Sequence, residues 1–313
     1  MNNIENLLDY KKPFDINSGL VQKFVNEFDY KKVSENVLIK MKQKNNISDR
    51  DLEIAKFLFK TRFATLNQIH RYLGCNINKS NLKTRLDKLV SYRVLNKFTF
   101  VTADGAREEQ LGFYCLDMGG RHLLAHYSTE STEDWNTSIN AKAAELVGEN
   151  LLATEFYVRL LETCPEKLTN FELYPVFRCG DTTIKAHFKC TLTINDKKIN
   201  FIGDINRDYH FPDEFDRKAR RLESLLTTNA WKKYYRNEEN PPILLVFCNS
   251  DNTTLEAADA IHSLTRLDLK KIRFSTDERI KEGLGEKGTF LKYEQKNALD
   301  DEMALKLAQI SIF

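Results

Sequence analysis

Three short blocks of apolar residues at helical spacing constrain the fold of this chain more than any other feature of its sequence. The first block follows Ser48 and Asp51, which stand three residues apart as in a capping box. The second begins at Thr65 and stops at Gly74, a residue type that commonly ends helices in the left-handed conformation. The third runs from about residue 78 to residue 94. Three short helices at this spacing predict a helix-turn-helix.

A hairpin is predicted directly after the third helix. The runs 97–101 and 111–116 have strand composition, and they flank a polar tip that contains the turn dipeptide Asp104-Gly105. A hairpin in this position is typical of a wing. The sequence therefore predicts a winged helix-turn-helix over residues 48–127.

The charge of this region indicates its expected partner. Between Arg62 and Lys97 there are eight basic residues and one acid, Asp87, which gives +7 within a chain whose net charge is +2. Cations and amides on a helix that fits the major groove are typical of duplex DNA binding. A protein-interaction module and a merely solvated basic helix remain alternatives. The expected DNA-contacting residues are Asn78, Lys79, Asn81, Lys83, Thr84, Lys88 and Arg93 on and after the third helix, and Lys97, Thr99 and Arg107 on the wing.

The remaining chain is expected to form an arm, a linker and a second domain. Residues 1–47 contain two amphipathic stretches, around 20–28 and 33–41, and are predicted to form a helical arm. Residues 128–137 begin with seven polar residues and are predicted to be an exposed linker. Residues 138–313 alternate between helical and strand patterns, so the fold class is mixed α/β.

The elements of this second domain are predicted as follows. Helices are expected at 138–163, 213–236, 254–264 and 300–310, and strands at 171–178, 182–194, 198–206, 242–248 and 288–293. The dipeptide Asn195-Asp196 between two of the strands predicts a tight hairpin turn. A helix, a three-stranded meander and a further helix and strand are the skeleton of restriction-endonuclease-like nucleases.

The residues that such a nuclease needs are incomplete here. Asp204 is a candidate metal-binding acid, but Asn206 stands where the lysine of an acid-x-Lys element is expected, and the strand 183–188 carries no carboxylate. We therefore expect an inactive domain with no catalytic residue, no metal and no cofactor; a metal-dependent nuclease that uses Asp204 is the alternative. Three acids of the preceding helix are expected on a solvated face: Glu145, Glu149 and Glu155.

Other functional classes have little support in the sequence. The chain has no Walker A, GxGxxG, HExxH or GxSxG motif, and its six cysteines form no CxxC pair. No apolar run approaches the length of a membrane span, and the N-terminal residues do not resemble a signal peptide. A cytoplasmic protein is therefore expected.

A basic and aromatic segment at 215–236 has two interpretations. Its cations, which include Arg217, Lys218, Arg220 and Arg221, precede Trp231 and two tyrosines, and such mixtures can follow a phosphate backbone. An amphipathic helix that buries Phe215, Leu222, Leu225 and Trp231 is the favoured interpretation.

The order of these segments resembles the replication-relaxation family, which includes MobC-like accessory proteins of plasmid mobilisation and conjugation. The resemblance covers about residues 48–265 and lies in the succession DLEIAKFLFKTRFATLNQIHRYLG, TRLDKLVSYRVLNKF, GFYCLDMGGRHLLA, GENLLATEFYVRLLE, INFIGDINR, FDRKARRLESLLTTNAWKKYY and PPILLVFC. Family members often carry an acid-hydrophobe-Asp-Arg element at the strand matching 201–207; here Asp204 and Arg207 match, and Asn206 replaces the Asp.

This resemblance implies a sequence-specific DNA-binding accessory protein of a mobile element that assists a relaxase or a replication enzyme. A repressor of the element's own operon would need the same helix and stays an alternative. A homodimer is a further possibility, because winged helices often bind pseudo-palindromic sites as dimers.

Overall fold

The computed structural model describes residues 14, 16, 19–28, 34–102, 112–129, 131–207, 213–235, 240–286, 288–294 and 306–310, and it is a mixed α/β structure. The chain divides into two compact units, Met1–Thr154 and Glu155–Phe313. This division falls within a helix, whereas the sequence placed the boundary at residues 128–137.

Unit 1 combines five helices, the first half of a sixth and a four-stranded antiparallel sheet in its described residues. The helices are α1 Glu35–Gln43, α2 Asp49–Thr61, α3 Leu66–Tyr72, α4 Lys79–Ser91, α5 Met118–Tyr127 and α6 Ala144–Thr163. The strands are β1 Val21–Phe24, β2 Phe63–Thr65, β3 Leu95–Val101 and β4 Phe113–Leu116, in the spatial order β1-β3-β4-β2. The predicted hairpin is thus present as β3 and β4, and its predicted Asp104-Gly105 turn lies outside the described residues.

Side-chain caps determine where the helices of unit 1 begin. The Ser48 hydroxyl accepts a hydrogen bond from the Asp51 N–H, and the Asp51 carboxylate accepts one from the Ser48 N–H at 2.6 Å, so the predicted capping box is confirmed. Thr65 and Gln68 form a second capping box at α3. Gly74 follows α3 with φ +74°, the left-handed conformation that its position predicted.

The apolar stripes of α2, α3 and α4 face one core. The stripe of α4 is formed by Leu82, Leu86, Leu89 and Val90, which are at most 5% exposed. Phe98 of β3 is fully buried and lies between Phe63 and Phe113, with ring centroids 5.4 Å away in each case. The packing therefore fixes which face of α4 points outward.

Two predictions for unit 1 are wrong. Residues 21–24 form a strand, not a helix, because they pair with the free edge of β3 and place Phe24 against Phe98. The segment 128–137 is not a fully exposed linker, since Thr132 and Trp135 are 5% and 8% exposed. The segment was predicted to be exposed because most of its residues are polar, but Trp135 is buried.

Unit 2 is built on a seven-stranded sheet with the order β13-β12-β11-β10-β9-β8-β5. Its strands are β5 Leu168–Leu173, β6 Val176–Cys179, β7 Thr182–Lys185, β8 Phe188–Ile194, β9 Lys197–Ile205, β10 Ile243–Cys248, β11 Ile272–Thr276, β12 Phe290–Glu294 and β13 Lys306–Ile310; β6 and β7 form a separate hairpin. Its further helices are α7 Asp213–Thr227, α8 Asp251–Leu264 and α9 Asp277–Glu282. Strands β9, β10 and β11 are parallel, and the other pairs are antiparallel.

Helices cover both faces of this sheet. Phe156 of α6 packs on Phe188 and Phe247, at centroid distances of 5.0 and 5.4 Å. On the opposite face, α7 and α8 bury Phe215, Leu222, Leu225, Ala257, Ala258 and Ile261 against β9, β10 and β11. The continuous apolar sequence of β10 is explained by this burial on both faces.

Several element boundaries in unit 2 differ from the prediction. The expected strands 171–178 and 182–194 are each broken, because Tyr174 adopts a φ of +51° before Pro175 and the chain leaves the sheet to form the β6–β7 hairpin. The expected helix 213–236 ends at residue 227, and a 3-10 turn follows at 230–233. The expected closing helix contains strand β13 at 306–310, which pairs with the edge of β12. The predicted turn at Asn195-Asp196 is confirmed, with φ values of +50° and +61°.

Gly203 in β9 gives a test of this packing. A Cβ atom there would overlap the fully buried ring of Phe188 on the neighbouring strand. We expect Gly203→Ala to lower the free energy of unfolding by about 1–3 kcal/mol, as overpacking does in other cores. Urea denaturation measures the change. Gly285→Ala is the control, since its Cβ would meet only Thr163 at 3.8 Å; equal stability of the two variants would contradict the prediction.

Candidate nucleic-acid interface

Helix α4 exposes four of the predicted DNA-contacting residues. Asn81, Lys83, Thr84 and Lys88 are all exposed, whereas the opposite stripe of the helix is buried. Asn81, Thr84 and Lys88 are three and four residues apart and therefore share one face, and Lys83 is exposed at the side of the helix next to Thr84. Amide, hydroxyl and ammonium groups are thereby presented together on a helix that the core holds rigidly.

The N-terminal end of α4 is fixed by one of the predicted residues. The Asn78 side chain accepts hydrogen bonds from the N–H groups of Ser80 and Asn81, at 2.9 and 3.4 Å, so it serves as the helix cap. Lys79 in the first turn is half-buried. Asn78 therefore has a structural role that the sequence analysis did not assign to it.

Arg85 does not lie on the exposed face, although it contributes to the charge of this region. Its Nε donates to Asp51 Oδ1 at 2.9 Å, and its Nη2 donates both to Asp51 Oδ2 and to the Asn46 carbonyl, the latter at 2.8 Å. The Asp51 side chain is fully buried. Arg85 thus ties α4 to the start of α2.

Arg93 is also held internally. It follows α4 in a left-handed conformation with φ +58°, and its Nε donates to the buried carboxylate of Asp117 at 3.1 Å. Its Nη2 donates to the Glu27 carbonyl at 3.1 Å. The structure therefore places Arg93 in a structural ion pair and away from the exposed group on α4.

The predicted wing residues are less accessible than expected. The Lys97 ammonium lies 3.4 Å from Asp87 and 5.6 Å from the centre of the Tyr114 ring, and its side chain is 23% exposed. Thr99 is half-buried and pairs with Lys23 of β1. Arg107 lies outside the described residues. Among the described wing residues, Lys97 is thus the one cation, and it is only partly exposed.

The ion pair between Asp51 and Arg85 predicts a pH dependence of stability. Burial by itself raises the pKa of Asp51, but hydrogen bonds from Arg85 and Ser48 outweigh it and hold the pKa below its usual value. The pKa of Asp51 is lower in the folded protein than in the unfolded chain. The stability that its ionised carboxylate contributes is therefore complete above the unfolded pKa and is lost as the pH falls through the folded pKa.

We therefore expect Asp51→Asn to destabilise the protein clearly at about pH 7 and much less at about pH 3. Urea denaturation at both pH values measures the difference between variant and wild type. Asp49→Asn is the control, because Asp49 pairs with Lys42 on the surface and is 95% exposed. A stability difference for Asp51→Asn that did not shrink at low pH would contradict this interpretation.

In unit 2, the candidate acid Asp204 belongs to a buried polar cluster at the end of β9. Its Oδ1 lies 3.0 Å from His187 Nδ1, and its Oδ2 accepts from Asn206 Nδ2 at 3.1 Å. Burial raises the pKa of Asp204, but the charge of Lys218 and the bond to His187 outweigh it, so the pKa is lowered. No sequence motif links positions 187 and 204, so His187 was not predicted as a partner of Asp204.

The neighbouring charges of unit 2 are also paired. Arg207 is fully buried, and its Nη1 donates to both carboxylate oxygens of Asp277 at 2.8 Å. The prediction of a solvated face for the α6 acids is wrong for Glu149 and Glu155, which are 3% and 4% exposed. Within the described residues, no group of three His, Cys, Asp or Glu side chains has an arrangement that could hold a metal ion.

The segment 215–235 follows the amphipathic interpretation. Phe215, Leu222, Leu225 and Trp231 are buried, so Trp231 is not available for base stacking. The cations Arg220 and Arg221 remain exposed. Arg221 lies beside Lys185 and Lys218 at a cleft, a grouping that sequence distance concealed because Lys185 lies in β7, 33 positions before Lys218.

All six cysteines are free thiols, and four of them, Cys115, Cys164, Cys190 and Cys248, are buried as small apolar side chains. In the part of the chain that the structure describes, no helix combines the length and apolar character that crossing a membrane requires.

No family model and no curated protein matches the chain. The crystal structure of protein VC1899 from Vibrio cholerae is similar at 10% sequence identity and a TM-score of 0.29. That match covers 83% of this chain and 56% of VC1899, so this chain spans little more than half the length of that protein. A likeness at this TM-score carries no argument about fold family or function.

Proposed function

We propose that unit 1 is a winged helix that binds duplex DNA, with α4 as the helix that enters the major groove. The observation that carries this proposal is the exposed surface of α4, where Asn81, Thr84 and Lys88 share the face opposite a buried stripe and Lys83 is exposed beside Thr84. The order α2, β2, α3, α4, β3, β4, with three of its strands in one antiparallel sheet, is the order of a winged helix.

The internal ion pairs refine which residues would contact DNA. Arg85, Arg93 and Lys97 lie within 3.4 Å of carboxylates, so their charges are partly neutralised within unit 1. Lys83 and Lys88 have no acid partner among the described residues, and Lys88 lies 5.7 Å from the centre of the Tyr92 ring. These two lysines are therefore the proposed phosphate contacts.

Base recognition would fall to the uncharged groups of the same face. The Asn81 amide can donate and accept at a base edge, as asparagine does in bidentate contacts with adenine. The Thr84 hydroxyl donates to the Ser80 carbonyl at 3.1 Å, which leaves its methyl group and oxygen lone pairs for a base or phosphate. One helix would thus both bind the backbone and read sequence.

The cellular role that we propose follows the resemblance to the replication-relaxation family. It is that of a site-specific DNA-binding accessory protein of a mobile element, which acts with a relaxase or replication enzyme at an origin. A repressor of the element's own operon would bind DNA through the same face of α4. Binding to origin DNA or to promoter DNA of the source replicon distinguishes the two roles.

For unit 2 we propose a restriction-endonuclease-like fold without nuclease activity. Two observations support this assignment. Asn206 provides an amide at the position where a lysine would be needed, and it donates to Asp204. The Asp204 carboxylate is also bonded to His187 and is only 4% exposed, so both of its oxygens have partners within the protein.

The proposed function is tested by titration of labelled duplex DNA with the full chain at several salt concentrations. We expect saturable binding whose affinity falls linearly on a double-logarithmic plot against salt, because phosphate contacts release counterions. Selection of one sequence from a random duplex pool would support site-specific recognition. Absence of duplex binding at low salt would overturn the proposal and favour a protein-docking role for α4.

A further inference from the structure

A cleft in unit 2 lies between the β6–β7 hairpin and helix α7. One wall is formed by Thr183, Ile184 and Lys185 of β7, and the other by Lys218, Arg221 and Leu222 of α7. Asp204 of β9 lies at the cleft, and its carboxylate is occupied by His187 and Asn206. Three cations from two separate elements therefore converge on one concave surface.

The charges of this cleft favour an anion. Three basic side chains face one buried carboxylate, which leaves a net charge of +2. The Lys218 ammonium donates to the Ile205 carbonyl at 3.3 Å and is thereby held next to the end of β9. Lys185 and Arg221 are exposed and have no acid partner within the described residues, so their charges are not neutralised by the protein.

The surroundings of the cleft favour a strand with several phosphates over a single nucleotide. Arg178 of the β6–β7 hairpin is exposed and pairs with Thr183, so it lies on the same face of the hairpin as Thr183 and Lys185 and continues the basic surface along the hairpin. The nearby aromatic side chains are largely occupied by protein contacts, since Trp231 and Tyr235 are buried and the half-buried Tyr234 ring packs on Phe177 at a centroid distance of 4.9 Å. A bound nucleic acid would therefore be contacted at its sugar-phosphate backbone and not at a base.

We propose that this cleft binds the phosphodiester backbone of a single-stranded nucleic acid, through Lys185, Lys218 and Arg221 and without reading its sequence. The Thr183 hydroxyl is a further donor to a phosphate oxygen in the same cleft. The proposed site involves no residue of α4, so it does not depend on duplex binding by unit 1. Its predicted ligand class is a polyanion held by charge, with strong salt dependence.

The test uses the full chain and a fluorescent oligothymidine of about 16 nucleotides, a length within the range that single-strand-binding sites cover. Lys185→Glu/Arg221→Glu is expected to weaken binding by at least about tenfold at low salt, because it replaces two cations that would contact phosphates with two anions that repel them. Lys197→Glu/Lys198→Glu makes the same change of charge at the exposed start of β9, the opposite end of that strand from Asp204, and is expected to change affinity by less than about twofold.

Thermal unfolding of both variants checks that they remain folded, and three results overturn the inference. The first is wild-type affinity of the cleft variant for oligothymidine. The second is an equal loss in both double variants, which would show that only net charge matters. The third is displacement of the oligothymidine by an equal concentration of adenosine monophosphate, which would make the ligand a free nucleotide. The Lys83→Ala/Lys88→Ala variant separates the two sites, since it should lose duplex binding and keep oligothymidine binding.

Discussion

Lys83→Ala/Lys88→Ala is expected to bind duplex DNA about 10–100-fold more weakly than the wild type at about 0.1 M salt. Both lysines are exposed on α4 and have no acid partner in the described residues. Removal of two phosphate contacts should also reduce the slope of log affinity against log salt by about 2. Fluorescence anisotropy titrations at four or more salt concentrations measure both quantities.

The control for this variant is Lys197→Ala/Lys198→Ala, which removes the same charge from the exposed start of β9 in unit 2. It should retain the salt slope of the wild type. A separate substitution, Asn81→Ala, should reduce discrimination between specific and random duplexes more than it reduces random binding, because an amide at a base edge carries sequence information. An unchanged slope in the Lys83→Ala/Lys88→Ala variant would mean that α4 does not contact phosphates.

Asp277→Ala is expected to be the most destabilising substitution in unit 2. It would leave the fully buried guanidinium of Arg207 without the carboxylate that accepts two hydrogen bonds from it. Loss of one partner of a buried ion pair costs about 3–5 kcal/mol, because the remaining charge stays in a medium of low polarity. Urea denaturation followed by circular dichroism measures the loss.

Two further variants show whether burial is the cause. Asp251→Ala removes the partner of Arg279 in a pair whose carboxylate is 58% exposed, and it should cost less than about 1 kcal/mol. The double variant Arg207→Met/Asp277→Leu should recover most of the stability lost in Asp277→Ala, since it leaves no unpaired charge. Similar losses for Asp277→Ala and Asp251→Ala would contradict this account.

The role of Asp204 shows how tertiary structure can decide between chemical interpretations. In the sequence, Asp204 was the candidate for a metal-dependent nuclease, and the case against it rested on Asn206 and on a missing second acid. The structure adds that His187, 17 positions earlier, and Asn206 both bond to its carboxylate. A side chain with this environment is suited to organising the end of β9.

The sequence by itself determined several helix ends of unit 1 and one hairpin turn of unit 2. The capping box at Ser48, the helix end at Gly74 and the hairpin turn at Asn195-Asp196 were all predicted, because each depends on a few neighbouring residues. The apolar stripe of α4 was also predicted, and with it the outward direction of Lys83 and Lys88.

Only the tertiary structure decided which charges are available for binding. Arg85 is paired with Asp51, 34 positions away, and Arg93 with Asp117, so neither belongs to the exposed set although both counted toward the +7 of this region. Conversely, Lys185 and Lys218 meet at one cleft because a hairpin packs against a helix. Helix caps and turns are set by neighbours in sequence, whereas ion pairs and clefts depend on which distant elements pack together, and the sequence pattern of a single segment does not carry that information.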